Sequence, residues 1–146
     1  MKRRHFLAAS AAILLPVSAL AAGDVIEVYK SATCGCCGDW IKHLRASGFE
    51  VRAHDVAETE EYRARYGVPE QYASCHTATV AGYAIEGHVP PKDIKRLLAE
   101  RPKAQGLAVP GMPAGSPGME GPKSDPYDVL LFQRDGRHAV YARYGR

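Results

Sequence analysis

Val25 to Lys30 (Val-Ile-Glu-Val-Tyr-Lys) alternates apolar and polar residues with the two-residue period of a strand, and it runs straight into Ser31-Ala32-Thr33-Cys34. From Gly38 to Ser47, Trp40, Ile41 and Leu44 recur at helical spacing and Gly48 supplies a stop, which places Cys37 near a helix N-terminus. Phe49 to Val56 predicts a second strand, Glu58 to Tyr66 a short helix ended by Gly67 and Pro69, and Thr77 to Ile85 a third strand. Pro91 to Glu100 sets Ile94, Leu97 and Leu98 on one face, with proline at the start and Pro102 past the end, and predicts a helix. Residues 105–126 are rich in Gly and Pro and too poor in apolar periodicity to predict regular structure; so long a loop in a small domain points to a functional flap or to disorder. Tyr127 to Gln133 and His138 to Tyr144 then read as two strands joined across Asp135-Gly136, a hairpin signal.

The order strand, helix, strand, helix, strand, helix and terminal hairpin, with cysteines at the first strand-to-helix junction, is that of a thioredoxin-like α/β fold. It predicts a mixed central sheet with flanking helices and a C-terminal β-hairpin. Fold alone does not fix function, so the chemistry has to come from particular residues.

Charge and the N-terminus change the picture next. Met1-Lys2-Arg3-Arg4 leads into an apolar, small-residue stretch ending in Ala19-Leu20-Ala21, the small-x-small form of a cleavage site, so residues 1–21 read as a cleaved export signal and 24–146 as one domain containing the 105–126 loop. Ser10, Pro16 and Ser18 interrupt a stretch already short for the roughly 20 apolar residues of a membrane span, which argues against membrane insertion of the mature chain. Arg3-Arg4 followed by Phe6-Leu7 fits the twin-arginine route as well as the Sec route, and either implies a periplasmic protein. The formal charge of +3 belongs to Lys2, Arg3 and Arg4 of the signal; without them acidic and basic residues balance, and nothing suggests nucleic acid as a partner. The remaining chain, about 125 residues, suffices for one domain with its own core.

All four cysteines, Cys34, Cys36, Cys37 and Cys75, belong to that domain. In an oxidising compartment an even count ordinarily means disulfides, but adjacent Cys36 and Cys37 do not easily serve as two structural staples, and a domain of this size does not need them. Cys34 and Cys37 stand as C-x-x-C at a helix start, where free N–H groups and the helix dipole favour thiolate. Alone, that pair predicts a dithiol-disulfide oxidoreductase. Cys36 complicates it, because a third thiol offers competing disulfides, whereas a soft metal benefits from several sulfurs on one short loop. Cys75 precedes the third strand, where thioredoxin-like redox proteins place a cis-proline facing the C-x-x-C loop; this chain has Ser74-Cys75-His76-Thr77 there, and the four sulfurs are expected to converge. A four-cysteine zinc site is the alternative, although zinc sites commonly use two separated cysteine pairs.

Met112 and Met119 both lie in the Gly/Pro-rich loop, either as thioether donors that select Cu(I) or as anchors packing the loop onto the domain. His76 adjoins Cys75, and His88 lies in Glu86-Gly87-His88-Val89-Pro90; each is either a ligand or a purely structural residue. His43, His54 and His138 have no companion ligand in sequence and read as ordinary surface or half-buried residues.

Four segments taken together, Val28 to Gly38, Ser74 to Ala78, Glu86 to Pro90 and the Met112–Met119 loop, resemble the CopG-type copper-resistance family over essentially the whole mature chain. The resemblance implies a periplasmic thioredoxin-like protein that holds copper in a multinuclear thiolate-bridged cluster and interconverts Cu(I) and Cu(II). Carried over by position, it puts the cluster on Cys34, Cys36, Cys37 and Cys75, with weaker support for His76, His88, Met112 and Met119. Two further readings stay open: a thiol-disulfide oxidoreductase using Cys34 and Cys37 without metal, and a module that passes copper to a periplasmic efflux or carrier protein through the long loop.

Overall fold

Ile26 and Val28, the inward positions of the first alternating segment, are fully buried in β1 (Ile26–Lys30), which runs parallel to β2 (Val51–Asp55) and antiparallel to β3 (His76–Val80). The computed structural model describes residues 24–145, so the expected signal segment 1–21 lies outside the described residues. Between β1 and β2, α1 (Gly35–Ala46) turns Cys37, Trp40, Ile41 and Leu44 onto the sheet, the i, i+3, i+4, i+7 pattern of a helix with one buried face. α2 (Thr59–Arg65) and a single 3-10 turn at Glu70–Tyr72 connect β2 to β3. β4 (Tyr83–Glu86), α3 (Pro91–Glu100), β5 (Gly106–Ala108), β6 (Tyr127–Phe132) and β7 (His138–Tyr144) complete the chain.

The seven strands form one mixed sheet in the order β2-β1-β3-β4-β5-β6-β7. Its first four strands with α1, α2 and α3 make the thioredoxin-like unit, and β5, β6 and β7 widen the sheet beyond β4, with β6 and β7 as the expected C-terminal hairpin. The larger core joins Ile26, Val28, Trp40, Leu44, Ile85, Ile94, Leu97 and Leu107; a smaller one joins Val68, Tyr72, Ala84, Ala108 and Phe132. Each of the larger aliphatic and aromatic side chains contributes about 1.5–3 kcal/mol of burial. No helix among the described residues is long and apolar enough to cross a membrane.

Three expectations are corrected. α1 starts at Gly35, not Gly38, which makes Cys34 the N-cap and puts Cys36 and Cys37 inside the first turn. The predicted third strand is a hairpin, β3 and β4, broken at Ala81 (φ 48°) and Gly82 (φ 85°), the paired left-handed geometry of a two-residue turn. Ala at the first turn position lacks the Asn-Gly or Asp-Gly signal, so the pattern reads as continuous. The 105–126 segment, expected without regular structure, opens with β5 between β4 and β6; at Gly106 any Cβ would overlap the Ala84 carbonyl. Three residues are too few to show a period. The rest of the segment is an ordered loop closed by its own bonds, Gly115 N–H to Met119 O (2.8 Å), Met119 N–H to Ser116 O (2.7 Å) and Asp125 N–H to Ala114 O (2.9 Å).

Candidate metal centre

The sulfur cluster begins with a helix N-terminus left bare by its own sequence. Cys34 occupies the N-cap but its side chain caps nothing, and the first turn of α1 holds no acidic residue. The free N–H groups and the positive end of the helix dipole therefore face the thiols. Cys34 and Cys37 are joined as a disulfide, while Cys36 and Cys75 are free. Cys36 Sγ lies 3.6 Å from Cys34 Sγ, and Cys75 Sγ lies 3.6 Å from Cys37 Sγ, so each free thiol stands beside one sulfur of the bridge.

The four sulfurs lie within 4.8 Å of one another, although Cys75 is remote in sequence. Cys75, His76 and His88 form a second group of the same compactness, sharing the Cys75 sulfur. His88 Nε2 is 3.0 Å from that sulfur, and its Nδ1 is 2.7 Å from the Pro117 carbonyl oxygen. A carbonyl only accepts, so Nδ1 carries the proton and Nε2 presents its lone pair to Cys75. The loop thus sets the tautomer of a side chain on the other side of the site. His76 Nδ1 is 3.4 Å from the Cys75 sulfur, its ring lies against Trp40 at a 33° tilt with centroids 4.3 Å apart, and its fully buried Nε2 has no hydrogen-bond partner.

Burial dominates the protonation of the site. It pushes the Cys75 thiol up to about 12, with the neighbouring Cys36 charge adding to the effect. It brings His76 down to about 3 and lowers His88, in the case of His76 with further repulsion from His88. The resting centre near neutral pH therefore holds neutral imidazoles and a protonated Cys75, a state in which a soft cation displaces the thiol proton on binding. Four sulfurs with two neutral imidazoles suit a soft ion better than a hard one, and the buried His76 Nε2 is left without a hydrogen-bond partner. The residues present fit copper.

Residues 72–119 match a family described as a protein of unknown function, DUF411. Among solved structures, one titled copper resistance protein CopG, form 2, is 48% identical, covers 84% of this chain and 99% of its own, and superposes with a TM-score of 0.79. A second, form 1 of the same protein, is 49% identical with 84% and 98% covered and a TM-score of 0.78. The chain belongs to the CopG copper-resistance family. No curated protein matches it.

Within this family frame the residues singled out in sequence divide into two groups. Cys34, Cys36, Cys37, Cys75, His76 and His88 are brought together. Met112 is 52% exposed, and Met119 is half-buried just past Gly118, whose backbone presses on α1: a Cβ there would stand 2.7 Å from Cys36 O and 2.8 Å from Trp40 N. His43, read as an ordinary surface residue, pairs with Glu120 of the loop at 2.5 Å, and Glu120 also accepts from Gly118 N–H at 3.0 Å. Glu120 and the Pro117 carbonyl are site-supporting groups that the sequence analysis missed. No motif marks a backbone carbonyl, and a lone acidic residue after Gly-Met carries no signal of its own.

Proposed function

We propose that this protein binds copper in an exported, periplasmic setting as part of copper resistance, holding it as Cu(I) in a thiolate cluster on Cys34, Cys36, Cys37 and Cys75. The observation that carries the reading is the convergence of four sulfurs from two chain segments in a member of the CopG family. His88 and His76 are the nitrogen donors or positioning groups next to Cys75. Several sulfurs within bridging distance of one another favour a multinuclear site over the single tetrahedral zinc of a structural four-cysteine centre.

Reduction of Cu(II) to Cu(I) balances on this site's own groups. Closing two thiolates, Cys34 and Cys37, into their disulfide releases two electrons, which reduce two Cu(II) to Cu(I); an external dithiol, itself oxidised to a disulfide, supplies the two electrons that reopen the bridge and return Cys34 and Cys37 as thiolates to hold the Cu(I). The disulfide beside two free thiols also supports a second reading, a thiol-disulfide oxidoreductase working on Cys34 and Cys37 without metal.

Elemental analysis of protein purified without oxygen, together with thiol counting, tests the first reading. More than one copper per chain with four titratable thiols is the expected result, whereas zinc alone or a metal-free chain overturns it. Cys36→Ser separates the two readings: loss of copper binding supports the cluster, and unchanged disulfide-reductase activity in metal-free protein supports the enzyme.

A further inference from the structure

The segment Ser74-Cys75-His76-Thr77 is bracketed by one buried carboxylate that no part of the copper chemistry uses. Glu86, at the end of β4 and with no exposed surface, accepts from the Ser74 backbone N–H on one side of Cys75 at 2.8 Å and from Thr77 Oγ1 on the other at 2.6 Å. Arg63 of α2, only 4% exposed, donates through Nε to Glu86 Oε1 at 3.1 Å and through Nη2 to the Ser74 carbonyl at 3.0 Å, while Nη1 reaches Glu70. Both backbone polar groups of the residue before Cys75 are therefore tied to a single ion pair. The next residue adds to the grip: Gly87 N–H donates to the His76 carbonyl at 3.1 Å, and a Cβ on Gly87 would stand 2.6 Å from Ser74 Oγ.

A buried ion pair is a poor way to hold a helix against a sheet. Its desolvation costs several kcal/mol, and a pair of apolar side chains of similar volume generally does as well or better. What apolar side chains cannot do is accept from Ser74 N–H, accept from the Thr77 hydroxyl and donate to Ser74 C=O together. Those three bonds, added to the β1 and β4 ladders that hold His76 and Thr77 and to the Gly87–His76 bond, fix the backbone at Ser74 and the Thr77 side chain on either side of Cys75 and so bear on the direction of its Cα–Cβ bond. Metal-ligating geometry has to be held to within about 0.5 Å by surrounding packing and hydrogen bonds.

We infer that Glu86, with Arg63 as its counter-ion, is the positioning residue for Cys75: it touches no metal, and by fixing the 74–77 backbone it places the fourth sulfur against Cys37 and so sets copper affinity. The inference rests on the copper reading above for its affinity arm only.

The test uses the full mature chain, reduced, with three variants. Glu86→Leu removes every bond at the carboxylate, Glu86→Gln keeps an acceptor for Ser74 and a partner for Thr77, and Thr77→Val removes one bond with little change of shape. Cu(I) affinity is read by competition with a chromophoric chelator, and the alkylation rates of Cys75 and Cys36 in metal-free protein are read by peptide mass. Glu86→Leu should weaken Cu(I) binding by about 10–100-fold, the usual cost of losing a group that orients a ligand, with Glu86→Gln recovering most of the loss. In a Cys75→Ser background Glu86→Leu should cost nothing further. The ratio of Cys75 to Cys36 alkylation should rise about tenfold, since a freed segment opens locally while α1 does not. Equal affinity losses with and without Cys75, or an unchanged alkylation ratio, overturn the inference. Should Glu86→Leu fail to fold, Thr77→Val carries the same comparison with an expected change of about threefold, in line with a single hydrogen bond. If the unmodified chain binds no copper, the proposed function fails and the alkylation ratio alone decides this one.

Discussion

On the α1 side of the sulfur cluster, three thiol positions fall within four residues and are aimed by the helix turn itself, with no side-chain cap and no acidic residue in the first turn. On the β3 side a single sulfur, Cys75, is held by groups from five places in the chain: Ser74 and Thr77 beside it, Glu86 from β4, Arg63 from α2, and His88 fixed in turn by the Pro117 carbonyl. The difference teaches where the site is local and where it is tertiary. A helix start can present several sulfurs with no outside help, because backbone hydrogen bonding fixes their relative positions. A lone sulfur just ahead of a strand needs its backbone clamped from elsewhere in the chain, because no helix turn of its own fixes it and the groups that Ser74 and Thr77 bond to lie on β4 and α2.

The comparison breaks most sharply at the clamp. Arg63→Met should destabilise the fold by about 3–5 kcal/mol in urea denaturation, since Glu86 is left buried and uncompensated, while a change at exposed Arg65 should not be felt. A loss below about 1 kcal/mol would mean the pair is not what holds α2 and the 74–77 segment together. Next comes the sulfur it serves. Cys75→Ser should weaken Cu(I) binding by more than about 100-fold in chelator competition, and by more than Cys36→Ser, whose neighbours Cys34 and Cys37 remain in the same turn. Equal losses would show the two sides to be equivalent.

The loop that closes over the site is the third point of attack. Gly118→Ala puts a Cβ against the Cys36 carbonyl and the Trp40 N–H at a residue whose φ is +89°, so the loop has to lift from α1. The expected cost is about 1–3 kcal/mol in urea, with faster hydrogen exchange across residues 115–120. Unchanged exchange there would show that the loop does not rest on the helix in solution.

The last point of attack concerns protonation, and it is felt only in acid. His76, ordinarily near 6.5, is held at about 3 in the fold. Between those values the unfolded chain binds a proton that the folded chain refuses, so stability falls as pH drops through this window and is fully present above it. Each such proton contributes a slope of about 1.4 kcal/mol per pH unit. In metal-free protein, His76→Phe, which keeps a ring against Trp40, should flatten the acid limb of a stability-versus-pH curve by one proton, and an unaltered slope would remove His76 as its source.

Much of this molecule was legible in its residues. Trp40, Ile41 and Leu44 announced α1, and Ile94, Leu97 and Leu98 announced α3, because a helix with one buried face writes its period into the sequence. The C-x-C-C turn showed its own crowding of sulfurs. The β3–β4 break did not show, since Ala81 in a left-handed conformation carries no turn signal, and β5 did not, since a three-residue strand has no period. Nothing in the local sequence marks Glu86 or Arg63 as buried; the fold does that.

The sequence by itself determined the three helices, the strands that flank them, the C-terminal hairpin, the thioredoxin-like frame and the three sulfurs at the first strand-to-helix junction, because hydrophobic period and residue spacing act over short stretches of chain. Only the tertiary structure decided how Cys75 is held against those sulfurs, which nitrogen of His88 faces it, and why a carboxylate is buried behind it. Those depend on atoms brought together from β4, α2 and the 117–118 loop, and hydrogen bonds between distant segments leave no periodic trace in the order of residues.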